Sequence, residues 1–114
     1  MQQFDVLIIG SGLAGLTLAL RTAADKKVCI VSKRSINDAA SDWAQGGISA
    51  VLSDDDSIEN HVRDTLVAGG GLCDAAVTRM VAENAKASIE WLIAQGVGFT
   101  READNSAYHL TREG

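Results

Sequence analysis

The sequence predicts an α/β fold built on a parallel β-α-β unit with further helices following it, and three observations carry that prediction. A nearly continuous apolar run, Phe4-Asp5-Val6-Leu7-Ile8-Ile9, stands near the start, as expected for a strand buried on both faces of a parallel sheet. The glycine motif Gly10-Ser11-Gly12-Leu13-Ala14-Gly15 follows at once, in the strand–turn–helix setting that gives such a motif physical meaning. A second short β-branched run, Val28-Cys29-Ile30-Val31, completes a unit of about thirty residues. A right-handed crossover is expected, and the unit is Rossmann-like.

Each element then has its own local reason. Leu13, Leu16, Leu20 and Ala23 or Ala24 recur at helical spacing and form one apolar face to lie on the sheet, fading near Asp25-Lys26-Lys27. From Ser32 to Gly47 the composition turns polar, punctuated by Asn37-Asp38, Ser41-Asp42 and Gly46-Gly47, which reads as a long loop; loops of that length in compact domains are usually functional. Ile58, Val62 and Leu66 mark a helix, with Asp56 and Glu59 as its capping pair, so Asp54-Asp55-Asp56 is read as capping and solvation rather than a metal cluster. Gly69-Gly70-Gly71 ends that helix. Asp74 caps another, whose stripe is Val77, Val81, Ala85, Ser88 and Leu92 and whose left-handed stop is Gly96. Residues 97–110 alternate around Asp104-Asn105-Ser106 and suggest a hairpin.

Bulk composition narrows the function. The chain has 114 residues, 46% of them hydrophobic, no proline and a net charge of -5, which fits a globular domain rather than a disordered segment. Its ten basic residues are scattered, whereas a nucleic-acid footprint needs them clustered. Cys29 and Cys73 have neither metal-ligand spacing nor a disulfide framework, so a reducing cytoplasm fits and no metal is expected. No signal peptide or membrane-spanning apolar run is evident.

The first motif has a physical use. A helix N-terminus offers unpaired N–H groups and the positive end of the helix dipole to a pyrophosphate. Gly10 permits the tight turn, Gly12 lets phosphate oxygens reach the backbone, and Gly15 lets helix and strand pack closely. The acidic ribose partner usual at the end of the second strand is missing, for Val31-Ser32-Lys33-Arg34 stands there. On these residues two cofactors fit: NADP, with Lys33 and Arg34 facing a 2′-phosphate, or FAD, with Ser32 as a hydroxyl partner and Lys33 near the adenosine or phosphates.

The second glycine motif separates them. The segment Ser41-Asp42-Trp43-Ala44-Gln45-Gly46-Gly47-Ile48-Ser49-Ala50-Val51 resembles the flavin-contacting loop of the succinate dehydrogenase and fumarate reductase flavoprotein family. The rest of the chain is similar to the branch of that family that oxidises L-aspartate. Asp64-Thr65-Leu66-Val67-Ala68-Gly69, Trp91-Leu92-Ile93-Ala94-Gln95-Gly96-Val97 and Tyr108-His109-Leu110-Thr111-Arg112-Glu113-Gly114 carry that likeness. It implies FAD, with Gly46 and Gly47 allowing close approach of the isoalloxazine and Gln45 supplying hydrogen bonds. Ala40 occupies the position where membrane-bound members carry the histidine that bonds their flavin, so the resemblance implies a non-covalent cofactor. Glu113 matches a glutamate that orients the substrate. No catalytic residue of the family falls within this chain. His61 and His109 are read as structural, Trp91 as core and Trp43 as packing near the flavin.

The resemblance further implies the oxidation of L-aspartate to iminoaspartate, with oxygen or fumarate as acceptor, in de novo NAD biosynthesis. It gives quinolinate synthase as a functional partner. Residues 1–114 are expected to be the N-terminal part of an FAD-binding domain, with the capping domain, the catalytic arginine and later strands beyond Gly114. Such a piece alone is expected to be inactive, to aggregate or to bind FAD poorly. The alternatives are a succinate dehydrogenase or fumarate reductase flavoprotein and, in another class, a non-enzymatic dinucleotide-binding module.

Overall fold

The computed structural model describes residues 1–44, 47–104 and 107–111. They form two compact units, Met1–Gly47 and Ile48–Gly114.

The first unit is the β-α-β element. Strand β1 (Val6–Ile9) lies parallel to β2 (Val28–Val31), with Val6 opposite Val28 and Ile9 opposite Val31. Helix α1 (Leu13–Thr22) joins them. The entrance is fixed by Asp5, whose carboxylate accepts the Lys27 amide at 2.8 Å while its own amide donates to the Lys27 carbonyl at 2.8 Å. At the far end the Gly10 amide donates to Val31 O at 2.8 Å, extending the ladder into the glycine turn.

Two expectations about burial are corrected here. Strand β1 is not covered on both faces: Ile8 is buried, whereas Leu7 and Ile9 are 62% and 85% exposed. Among the described residues the sheet has two strands, and α1 packs on one side, so only one set of alternating side chains is enclosed. Nor do the large leucines form the inner face of α1. Leu13 and Leu20 are exposed and Ala19 is buried, because the helix meets the sheet through its small residues Gly15 and Ala19, one turn apart.

The second unit pairs helix α2 (Ile58–Ala68) with helix α3 (Ala75–Ala94). Val62 from the first and Ala82 and Ile89 from the second are its buried apolar residues. Both helices have side-chain caps. Asp74 accepts the Val77 amide at 2.9 Å, as the sequence predicts. For α2 the cap is Ser57, whose hydroxyl accepts the Asn60 amide at 3.1 Å, and not Asp56, which accepts the Ser57 amide at 2.7 Å. Gly70 and Gly71 take left-handed φ values of 57° and 90° in the connection.

The predicted stripe of α3 holds at Ala85 and Leu92, both half-buried, and is displaced by one position elsewhere: Val77, Val81 and Ser88 are exposed, and Thr78, Ala82 and Ile89 face inward in their place. A shallow groove of about 310 Å³ follows, lined by His61 and Thr65 of α2 and Cys73, Val77 and Val81. Glu59 and Arg79 join the helices, Nη1 to Oε1 at 2.7 Å, and Glu83 lies 3.6 Å from the same guanidinium. Gly96, at φ 94°, stops α3. Of the hairpin expected over 97–110, the described residues show one antiparallel bridge, Arg101 with Tyr108, supported by His109 N–H donating to Thr100 O at 2.9 Å; Asn105 and Ser106 lie outside the described residues. Phe99 meets the Tyr108 ring edge-on at 6.3 Å.

Candidate cofactor-binding site

The site begins where β1 ends. Gly10 takes a φ of 108°, a region L side chains rarely enter, and turns the chain toward α1. Ser11 is buried. Gly12 is the extended N-cap of α1, at φ -72° and ψ 176°, with no side chain of its own to satisfy the helix amides. The first turn of α1, which carries Leu13, Ala14 and Gly15, contains no acidic residue, so its positive end is not neutralised from within. The Leu13 and Ala14 side chains are exposed, so what these two residues bring to the turn is their backbone.

Gly10 and Gly15 meet the backbone requirements that the sequence predicts for them. A Cβ on Gly15 would stand 2.3 Å from Gly10 O and 3.3 Å from Ile8 Cγ2, so only glycine permits this helix–strand approach. A Cβ on Gly12 would meet only the Ser41 hydroxyl, at 3.5 Å, and one on Gly10 nothing within 4 Å. The turn is thus tight underneath and open above. That is the shape needed for an anion to reach the amides at a helix N-terminus, and the pyrophosphate of a dinucleotide fits it.

The loop after β2 returns to the same place. It is not wholly irregular: Ala40–Trp43 form a 3-10 turn, closed by the Asp42 amide donating to Ala39 O at 2.9 Å. From this turn Ser41 Oγ accepts the Leu13 amide at 3.1 Å, across 28 positions of sequence. The start of the segment that carries the second glycine motif is therefore joined to the N-terminus of α1. Ser32 donates its hydroxyl to Arg34 O, leaving its oxygen free to accept from a ribose hydroxyl. Lys33 is exposed. Arg34, a candidate for a 2′-phosphate, instead pairs with Asp38 at 3.3 Å. Trp43 is 74% exposed, with its indole Nε1 donating to Asp38 Oδ1 at 3.4 Å.

Asp42 and Ala44 are exposed, and Gly47 has open space where a Cβ would stand. Gln45, Gly46 and Glu113 lie outside the described residues. Asp38 is the residue that sequence reasoning used only as loop punctuation. A carboxylate between an arginine and a tryptophan has no distinctive local signature, because its role depends on how the loop folds back.

The model of the FAD binding domain family matches residues 5–114. The chain belongs to that family. FAD is its cofactor, and the open glycine turn fits it. Among its relatives, L-aspartate oxidase 1 of Ralstonia nicotianae is 59% identical over 112 residues, covering 97% of this chain and 21% of the relative. L-aspartate oxidase of Vibrio cholerae is 53% identical over 116 residues, covering 98% and 22%. The structure of a mutant FrdA of E. coli quinol fumarate reductase aligns with a TM-score of 0.84 at 30% identity, covering 93% of this chain and 19% of that one. The α/β fold expected from the sequence is thus that of the FAD-binding domain. The chain spans about a fifth of the length of the curated relatives it matches. Among the described residues no helix is long and apolar enough to cross a membrane.

Proposed function

We propose that this chain is the N-terminal part of the FAD-binding domain of an enzyme that oxidises L-aspartate to iminoaspartate. The observation that carries the reading is the identity of 44–59% to L-aspartate oxidases over nearly the whole chain, against 30% to the fumarate reductase chain. When bound, FAD would supply the two-electron redox chemistry of this oxidation, with oxygen or fumarate as the electron acceptor.

This chain's own residues bind and orient. Gly10, Ser11, Gly12, Leu13, Ala14 and Gly15 form the cradle for the pyrophosphate; the Gly10 and Leu13 amides are held by Val31 O and Ser41 Oγ, so the amides of the other four residues are the ones offered to the anion. Ser32 and Lys33 face the adenosine side. Ala40, Ser41, Asp42, Trp43, Ala44, Gln45, Gly46 and Gly47 form the flavin side. Position 40 is alanine, which has no atom to bond a flavin, so the cofactor is held non-covalently. Glu113 orients the substrate by facing its ammonium group, a charge-assisted contact suited to an amino acid. In the cell the reaction belongs to the cytoplasm and to NAD biosynthesis, and its product suits quinolinate synthase.

The test uses the full-length protein without oxygen. L-aspartate is expected to bleach the visible flavin spectrum and succinate to leave it unchanged. Bleaching by succinate alone would favour the fumarate reductase reading that the structural likeness supports. A colourless protein that takes up no FAD would leave the non-enzymatic module.

A further inference from the structure

We propose that Asp38 is a positioning residue for FAD, holding the 3-10 turn against the N-terminus of α1; the inference rests on the FAD site described above. One half-buried carboxylate gathers donors from both sides of the loop. Its Oδ2 faces Arg34 Nη1 at 3.3 Å, four residues earlier, and its Oδ1 accepts from Trp43 Nε1 at 3.4 Å, five residues later. Trp43 ends the 3-10 turn that begins at Ala40. Within that turn Ser41 reaches the Leu13 amide.

A physical chain therefore runs from Asp38 through the indole and the turn to the first amide of α1. The Trp43 ring is largely exposed, so packing fixes it little and the hydrogen bond to Asp38 carries more of its placement. The same carboxylate draws the Arg34 guanidinium to itself. Asp38 need not touch the cofactor for this: it restricts the loop before binding, which lowers the ordering cost that binding must otherwise meet.

The experiment is an FAD titration of the full-length apoprotein, followed by flavin fluorescence and by the visible circular dichroism of the bound flavin. Asp38→Ala is expected to raise the Kd about fivefold to tenfold, the loss of the one hydrogen bond that holds the indole, and to alter the dichroism at saturating FAD. In a Trp43→Phe background the same substitution is expected to change the Kd by less than about twofold, because residues acting through one contact are not additive. Where Asp38→Ala does not fold, Asp38→Asn offers the indole a weaker neutral acceptor. Its smaller rise of about twofold to threefold should vanish in the same background. An unchanged Kd and dichroism in a protein that binds FAD, or equal effects with and without the indole N–H, overturns the role of Asp38 alone. Failure of the unsubstituted protein to take FAD overturns both this role and the FAD site.

Discussion

Gly12 and Gly15 stand one turn apart in the same motif and answer to different forces. A methyl group on Gly15 would drive into the Gly10 carbonyl at 2.3 Å, a backbone atom that cannot rotate away. Gly15→Ala should therefore cost the fold about 2 kcal/mol or more through overpacking, seen as a lower melting temperature of the full-length apoprotein. A methyl on Gly12 would meet only the Ser41 hydroxyl at 3.5 Å, ordinary contact. Gly12→Ala should leave the apoprotein melting temperature nearly unchanged and still weaken FAD, because the added carbon occupies the approach of the phosphate. Equal losses of stability in the two variants would refute this division. Equal FAD affinity of Gly12→Ala and the parent would remove Gly12 from the pyrophosphate site.

At the scale of elements, helix α2 and helix α3 are joined on the surface by Glu59 and Arg79. The Glu59 carboxyl is lowered from its ordinary value, first by the hydrogen bond from Arg79, then by a backbone hydrogen bond and by the charge of Arg79. Arg79 is raised by the same partner. Because Glu59 titrates lower in the folded than in the unfolded chain, its contribution is complete above the unfolded pKa and is lost as pH falls through the folded one. The pair is exposed, so the effect should be small and screened by salt. Glu59→Gln is expected to lower the urea midpoint at neutral pH and low salt and to match the parent in acid. A gap of the same size at both pH values would mean that packing, not charge, joins the helices there.

The caps of these helices also show what was legible in the sequence. Asp74 was readable because it stands alone before its helix. At α2 two cap-forming residues are adjacent, and the spacing of Asp56 to Glu59 conceals the cap that Ser57 makes with Asn60. Ser57→Ala should cost about 1 kcal/mol and Asp56→Ala distinctly less, compared by chemical unfolding. Strand and helix positions followed from apolar runs, but faces did not: hydrophobicity weights Val77 and Val81, whereas close helix packing selects the smaller Thr78 and Ala82 beside them. The glycine turn was legible because Gly10 and Gly15 each meet a backbone requirement. The Ser41–Leu13 bond was not, since it joins positions 28 apart and nothing local records the return of the loop.

At the scale of the whole molecule, the interior is thin. Among the described residues the buried apolar ones are Ile8, Ala19, Val62, Ala82 and Ile89, and no large side chain is fully enclosed. Leu7 and Ile9 present an apolar side of the sheet to solvent, a surface that favours association. The 114-residue polypeptide made alone is accordingly expected to bind a hydrophobic dye, to melt without a sharp transition and to hold FAD weakly. Ile9→Ser separates an exposed face from one that is covered in the complete protein. In the short polypeptide it should reduce dye binding and aggregation, because Ile9 is 85% exposed there. In the full-length protein, with the domain completed beyond Gly114 as proposed, the same side chain is expected to be enclosed, and its loss should cost about 2–3 kcal/mol. Thermal melts of both lengths, each with and without the substitution, decide it: opposite signs support completion of the sheet by further chain, and a neutral effect at both lengths leaves this face open in the whole protein.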